Sequence, residues 1–195
     1  MSMVPNRIIA TSLILFACAT PALAHTGAGP VHGFSAGLTH PVLGADHLLA
    51  MIAVGLWAAL AAPRLFWVAP AGFLGGMLGG GVAGIAGLGM PGVELMIGGS
   101  VILFGVLALL KLQTPAILAF AAAAVFGAAH GFAHGAEMPA GSGMLGYAAG
   151  FLIATAVLHA VGASFGFLAK HLDLARVGQA AGGAVAAAGV ALMIA

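Results

Sequence analysis

Residues 65–89 read LFWVAPAGFLGGMLGGGVAGIAGLG, a stretch of 25 residues without a charged side chain. About 20 apolar residues suffice for a helix to cross the hydrocarbon core of a bilayer. Glycine recurs at every fourth position along one face of this helix, at Gly72, Gly76, Gly80 and Gly84, and a neighbouring ridge holds Gly75, Gly79, Ala83 and Gly87. Small residues at that spacing allow helix backbones to approach closely in a membrane. The stretch therefore predicts a membrane-spanning helix that packs through glycines.

Five further apolar segments are long enough to span, at approximately 34–60, 93–111, 114–137, 143–169 and 174–195. Hydrophobic residues make up 63% of the chain and charged residues 5%, whereas about a quarter of an ordinary globular protein is charged. We therefore predict an all-α protein of the lipid bilayer with six transmembrane helices. The breaks between segments are short and rich in proline and glycine, which excludes an appended soluble catalytic domain. Gly178, Gly182 and Ala186 repeat the close-packing pattern in the last segment.

The first 24 residues are typical of a secretory signal peptide. Arg7 provides a positive charge, residues 8–19 are apolar, and Ala22-Leu23-Ala24 matches a small-residue cleavage site. We expect residues 1–24 to be a cleaved signal peptide and residues 25–195 to be the six-helix transmembrane domain. An uncleaved signal anchor is the alternative. Cys18 is the only cysteine, so the mature chain would have no disulfide and no thiolate metal site.

Positive charges predict the orientation, because Lys and Arg concentrate in the cytoplasmic loops of membrane proteins. Alternate breaks between the segments hold Arg64, Lys111, Lys170 and Arg176, and the remaining breaks have no Lys or Arg. We expect a multi-pass protein of the bacterial inner membrane with its mature N-terminus in the periplasm. The net charge of +1 and the scattered basic residues argue against nucleic acid as a partner. Two inverted repeats of three helices, as in many transporters, would relate the two halves of the chain.

Histidines and acids inside the apolar segments indicate function, because an ionisable group within a bilayer is costly and functional by default. The first segment holds His40, Asp46 and His47, and the fourth holds His130, His134 and Glu137 on one helical face. Imidazole and carboxylate together suit divalent transition metals. Asp46 would either bind the ion or accept the second ring N–H of a histidine. In a continuous first helix His47 lies about 20 Å in, so Asp46 and His47 are expected to be the deepest pair. A polar stripe bonded to neighbouring helices is the alternative.

Four more residues give weaker signals. Glu94 begins the third segment at the external surface, where it would attract cations or favour the helix N-terminus. His25 and His32 precede the first segment, and His25 would chelate through its free amine if the signal peptide is cleaved. His159 lies in the middle of the fifth segment. A hydrogen-bonded interior histidine and a residue of an ion path are equally good interpretations of it.

Two catalytic motifs are present only in part. The sequence Gly162-Ala163-Ser164-Phe165-Gly166 matches G-x-S-x-G, but a nucleophile elbow follows a strand and this one lies inside an apolar helix. His130 and His134 have the H-x-x-x-H spacing of zinc proteases, but Gly131 stands where the general-base glutamate should follow the first histidine. We therefore predict that the protein is not an enzyme and that these histidines bind without hydrolysis.

The histidine motifs resemble those of the HupE/UreJ family, the hydrogenase- and urease-associated nickel permeases. The family pattern H-x5-D-H is matched by His40, Asp46 and His47, and the pattern F-H-G-x-A/V-H-G-x-E is matched by residues 130–137 with Ala129 in place of the phenylalanine. This departure removes an aromatic side chain but no ligand. The resemblance covers essentially the whole mature chain. It implies uptake of Ni²⁺ or Co²⁺ into the cytoplasm and a functional link to hydrogenase or urease maturation.

These observations together predict a secondary permease for a divalent transition metal, which is its transported substrate, with no permanently bound cofactor. The expected path is lined by His40, Asp46, His47, His130 and His134, with Glu137 and Glu94 near the entrance. Moving two charges across 100 mV is worth about 4.6 kcal/mol, so no nucleotide is needed. Because imidazoles bind metals when neutral, uptake should weaken as the pH falls through about 6.5. The alternatives are a metal-binding accessory or sensor protein of the membrane and an intramembrane metalloenzyme or haem enzyme.

Overall fold

The computed structural model describes residues 33–139 and 141–195, and these ranges contain seven α-helices and no strand. In chain order the helices are α1 (Gly33–Leu43), α2 (Ala45–Ala61), α3 (Val68–Ile85), α4 (Val93–Leu110), α5 (Ala116–Ala136), α6 (Met144–His171) and α7 (Ala175–Ile194). Within the same ranges five helices are long and apolar enough to span a bilayer, and α1 with α2 forms a sixth, bent span. The prediction of an all-helical, multi-pass membrane protein is confirmed. The predicted signal peptide lies outside the described residues.

The first span is not the continuous helix expected over residues 34–60. Helices α1 and α2 meet at Gly44 with a bend of 83°. Pro41 lies inside α1 and has no N–H to donate to the preceding turn. Gly44 then adopts an extended conformation, with φ −93° and ψ 119°, before the first turn of α2. As a result, His40 lies near the end of α1 while Asp46 and His47 begin α2, so the H-x5-D-H motif straddles the bend.

Helices α3 and α5 interlock backbone to backbone. A Cβ atom added to any glycine of the predicted ridge would lie 1.9–2.4 Å from a carbonyl oxygen of α5; these glycines are Gly72, Gly76, Gly80 and Gly84. The contact is reciprocal, because a Cβ on Gly131 of α5 would lie 1.9 Å from the Met77 carbonyl oxygen of α3. The predicted close approach along this ridge is therefore confirmed.

The neighbouring ridge of α3 does not pack in the same way. A Cβ atom on Gly75 or on Gly79 would meet nothing within 4 Å in the part of the chain that the structure describes. Each of these glycines precedes a contact glycine by one residue, and one residue turns the helix by about 100°. The prediction that this second ridge contacts another helix is wrong at these two positions, since they face away from α5.

Glycines also bring the other helices together. A Cβ on Gly162 of α6 would lie 2.0 Å from the Ile52 carbonyl oxygen of α2. On α4 and α7, Gly105 and Gly182 face each other, and a Cβ on either would lie 2.9 Å from the carbonyl oxygen of the other. Gly162 is thus a packing residue within a helix, which confirms that its G-x-S-x-G sequence is not a nucleophile elbow.

Hydrogen bonds between helices show which helix ends lie together. The Trp57 indole N–H, near the end of α2, donates to the Leu112 carbonyl after α4 at 2.9 Å. The Gln179 amide, near the start of α7, donates to the Leu109 carbonyl at 2.8 Å. We call this the basic end, because the breaks and adjoining helix ends there hold Arg64, Lys111, Lys170 and Arg176 along with Asp173. The opposite, acidic end holds Asp46, Glu94 and Glu137.

Candidate metal site in a histidine cluster

Four histidine rings from three helices meet where α1 joins α2. The ring centroid of His134 lies 4.7 Å from those of both His40 and His47. The ring centroid of His47 lies 4.9 Å from that of His130. Helix α5 places His130 and His134 one turn apart on one face, and the bend at Gly44 brings the two histidines of the first span against them. We call these four residues the histidine cluster.

The Asp46 carboxylate determines which nitrogen of His47 is protonated. Its Oδ1 atom lies 2.8 Å from the ring Nδ1 and 2.8 Å from the backbone nitrogen of His47. Since an ionised carboxylate only accepts hydrogen bonds, Nδ1 must be the protonated ring nitrogen. In the neutral imidazole the lone pair then lies on Nε2, which is buried and has no hydrogen-bond partner. The sequence left open whether Asp46 binds the ion or accepts the second ring N–H of a histidine. In the structure Asp46 accepts the ring N–H of His47.

The backbone orients His130 in the same way. Its Nδ1 lies 2.9 Å from the Phe126 carbonyl oxygen, one turn earlier in α5, so Nδ1 donates and Nε2 holds the lone pair. That Nε2 is buried without a partner, as are both ring nitrogens of His134. Unpaired polar atoms are rare in protein interiors, and each calls for an explanation such as an ion. Three histidines of the cluster thus have buried ring nitrogens without a hydrogen-bond partner among the described residues.

Aromatic side chains that the sequence analysis missed enclose the cluster. Phe151 of α6 stacks on His134 with a centroid distance of 5.4 Å and an interplanar angle of 17°. Phe73 of α3 lies 5.0 Å from His130. Both rings are almost completely buried, so they keep water away from the imidazoles. In the sequence they are ordinary apolar residues of membrane helices, and no spacing distinguishes them from lipid-facing phenylalanines.

Carboxylates approach the cluster from two directions at the acidic end. The Glu137 Oε2 atom lies 3.3 Å from the His40 Nε2 atom, and 47% of the Glu137 side chain is exposed. Asp46 and Glu94 line a separate cavity of about 210 Å³, together with Leu95, Gly98, Leu192 and Met193. Glu137 thus contacts the cluster directly through His40, and Glu94 lines the same cavity as Asp46.

The order of burial differs from the sequence-based expectation. Asp46 and His47 were expected to be the deepest pair, but 32% and 15% of their side chains are exposed. His130 and His134 are 0% and 1% exposed. The bend at Gly44 is the physical reason. It makes Asp46 and His47 the first turn of α2 instead of the middle of a long helix.

The histidine cluster is not a complete coordination shell. Within residues 33–139 and 141–195, no group of three or more His, Cys, Asp or Glu side chains is arranged to hold a metal ion. The rings meet edge to face, with interplanar angles of 63–77°. Several of these residues can bind one ion together only after some rings turn.

The remaining predicted residues lie elsewhere. His25 and His32 are outside the described residues. His159 of α6 is 3% exposed, and its Nδ1 lies 2.7 Å from the Met51 carbonyl oxygen. It is therefore a hydrogen-bonded interior histidine, but its Nε2 has no partner.

Known proteins are similar in sequence to this chain over almost its whole length. The family model described as HupE / UreJ protein matches residues 13–192. The chain belongs to the HupE/UreJ family. Protein HupE from Rhizobium leguminosarum bv. viciae is 41% identical over 181 residues, which cover 92% of this chain and 95% of that protein. The family resemblance of the two histidine motifs is thus confirmed.

No solved structure matches the chain. Ala129, which replaces a phenylalanine of the HupE/UreJ motif, packs in a small apolar cluster with Ile97 of α4 and Ala133. The aromatic walls of the histidine cluster in this family member come instead from Phe73 and Phe151, on α3 and α6.

Proposed function

We propose that this protein is a secondary permease that carries Ni²⁺, and also Co²⁺, from the periplasm into the cytoplasm across the bacterial inner membrane. The observation that supports it best is the set of unpaired, buried ring nitrogens of His47, His130 and His134. The choice of nickel and cobalt, and the link to hydrogenase or urease maturation, come from the family resemblance. The ligand chemistry alone suits several divalent transition metals.

The protonation of the histidines favours a metal ion as the ligand. A metal-binding histidine commonly donates its second ring N–H to a carboxylate or a backbone carbonyl, which holds the ring and raises its basicity. Asp46 accepts from His47 in this way, and the Phe126 carbonyl accepts from His130. In the neutral form of each ring the lone pair therefore lies on Nε2, and this is the form that binds a divalent cation.

The same geometry argues against the enzymatic alternatives. A zinc protease needs a general base after the first histidine, and Gly131 packs there against α3. A haem held between two histidines needs a flat macrocycle between their rings. The rings of His47, His130 and His134 touch edge to face with centroids 4.7–4.9 Å apart, so no macrocycle fits between them.

The distribution of charge between the two ends of the bundle favours passage of a cation from the acidic end to the basic end. The carboxylates of Glu94 and Glu137 lie at the acidic end, where they would concentrate cations. The Lys and Arg of the described residues lie at the opposite end, which the positive-inside rule assigns to the cytoplasm. A cation drawn inward by a potential of 100 mV gains about 4.6 kcal/mol for its two charges.

The pairing of the spans supports two inverted repeats. The first span packs on the fifth, and the second packs on the fourth. Two repeats would relate span one to span four, span two to span five and span three to span six. Applied to the pair formed by spans one and five, this exchange gives the pair formed by spans four and two, which is the second observed pair. The third and sixth spans, α4 and α7, pack on each other and exchange places. We propose that the repeats meet around the histidine cluster.

Transport by purified protein in liposomes tests the proposal. With a potential negative inside, the wild type should accumulate nickel, and His47→Ala or His130→Ala should reduce the initial rate at least tenfold. The matched control is His171→Ala, because His171 is exposed at the basic end and should not affect the rate. Wild-type liposomes that bind nickel but accumulate none would instead favour an accessory or sensor protein.

A further inference from the structure

The contacts between rings continue inward beyond the histidine cluster. The Phe73 ring lies 5.0 Å from the His130 ring and 5.1 Å from the His159 ring. The Glu137 carboxylate begins this chain of contacts with a 3.3 Å approach to His40. In order from the acidic end, the side chains are Glu137, His40, His134, His47, His130, Phe73 and His159. The chain of contacts therefore ends on a histidine that belongs to neither sequence motif.

His159 lies deeper than the cluster. Its ring bonds to the carbonyl oxygen of Met51, which is four residues after His47 in α2. Four residues advance a helix by about 6 Å, and this step leads from the acidic end toward the basic end. In its own helix α6, His159 is 15 residues after Met144, or about 22 Å from the start.

The hydrogen bond to Met51 uses only one of the two ring nitrogens. Because a carbonyl oxygen can only accept, Nδ1 of His159 carries the proton and Nε2 holds the lone pair. That Nε2 is buried and has no partner, and the residue is 3% exposed. A structural role explains the Nδ1 bond. It does not explain an imidazole whose second nitrogen is left unpaired in a protein interior.

We infer that His159 is an inner metal-binding station, which receives the ion from the histidine cluster through its Nε2 atom. This inference rests on the proposed transport function. The Phe73 ring contacts both His130 and His159, and its π face can attract a passing cation. An ion that passes from His130 to His159 therefore moves past the Phe73 ring.

Two substitutions separate a ligand from a structural residue. His159→Asn keeps a side-chain N–H at the position of Nδ1, so it can still donate to the Met51 carbonyl, but it removes the Nε2 lone pair. Thr155→Val is the control one turn away on α6. Thr155 is equally buried and donates to the Met77 sulfur at 3.4 Å, but it has no nitrogen ligand.

The test compares nickel uptake in liposomes with nickel binding by the same purified proteins in detergent. We expect His159→Asn to reduce the initial uptake rate at least tenfold while its equilibrium affinity for Ni²⁺ stays within about threefold of the wild type. Thr155→Val should retain wild-type uptake. His159→Leu, which fills a similar volume and has no lone pair, provides a second variant if the asparagine variant does not yield folded protein.

Other results overturn the inner station. Wild-type uptake by His159→Asn would mean that the Met51 bond is the whole role of His159. If the variant loses both nickel binding and nickel uptake, His159 belongs to the same binding site as the histidine cluster and is not a separate station. If neither variant folds, the role of His159 is structural. If the wild type itself accumulates no nickel, the proposed function fails instead, and this is seen before any variant is compared.

Discussion

Gly80 of α3 lies against the Ala128 carbonyl oxygen of α5, and replacing it with alanine should force the two helices apart. A Cβ at Gly80 would be 1.9 Å from that oxygen, whereas ordinary contacts are 3.4–4 Å. The atoms nearest to it all belong to the backbone, so no side chain can rotate away. The helices must separate locally by about 1.5 Å. A gap of roughly 0.5–1 Å already forfeits a quarter to a half of the dispersion energy of a contact.

The expected cost follows from this separation. Overpacking a well-packed interior typically costs about 1–3 kcal/mol, and the rigid backbone of α5 favours the upper end. For a chain of this size, about 1 kcal/mol shifts the Tm by roughly 2–4 °C. We therefore expect Gly80→Ala to lower the Tm by roughly 6–12 °C.

The adjacent glycine provides the control. A Cβ on Gly79 meets nothing within 4 Å in the described part of the chain. The only expected effect of Gly79→Ala is therefore the higher helix propensity of alanine, which stabilises the helix by about 0.5–1 kcal/mol. Its Tm should equal that of the wild type or exceed it by a few degrees. Thermal unfolding of both variants in the same detergent, followed by circular dichroism, makes the comparison. Equal Tm values for Gly80→Ala and Gly79→Ala would refute the backbone contact between α3 and α5.

Two further predictions concern the histidine cluster. Asp46→Asn should weaken Ni²⁺ binding by about 10–100-fold, because losing a carboxylate that accepts a hydrogen bond from a histidine ligand usually has this effect. Equilibrium dialysis of the purified protein measures the Kd. An unchanged Kd would mean that Asp46 does not orient His47. Lowering the pH far enough to protonate the ring nitrogens should weaken Ni²⁺ binding in detergent, because a proton on Nε2 removes the lone pair that binds the metal. A Kd that decreases as the pH is lowered would show that the imidazoles are not the ligands.

The membrane spans could be predicted from the sequence because length and apolarity decide them almost alone. The contact ridge of α3 was also predictable, since glycine at every fourth position permits close approach of backbones. The sequence did not show which of the two glycine ridges of α3 makes the contact. The ridges lie side by side, and only the position of α5 shows that Gly80 makes contact while Gly79 does not.

The bend of the first span could not be predicted, although its residues are visible in the sequence. Pro41 and Gly44 are tolerated within many membrane helices, because neighbouring groups can satisfy the freed backbone. Their presence therefore does not indicate whether the chain continues nearly straight or bends by 83°. For the same reason the depth expected for Asp46 and His47 was wrong. The placement of His47 and His130 in one cluster, in contrast, was expected from the two motifs, and the contact between their rings agrees with it.

The bend also decides how the cluster is connected. In a straight helix, His40 and His47 would be about 10 Å apart along the axis, too far for both to contact one imidazole. In the structure each lies 4.7 Å from His134, so the contacts alternate between the first span and α5. The contact of His40 with His134 involves α1, whereas the contact of His47 with His130 involves α2. For the permease proposed above, a displacement of α1 about Gly44 would open the outer contact while leaving the inner one intact, as alternating access requires.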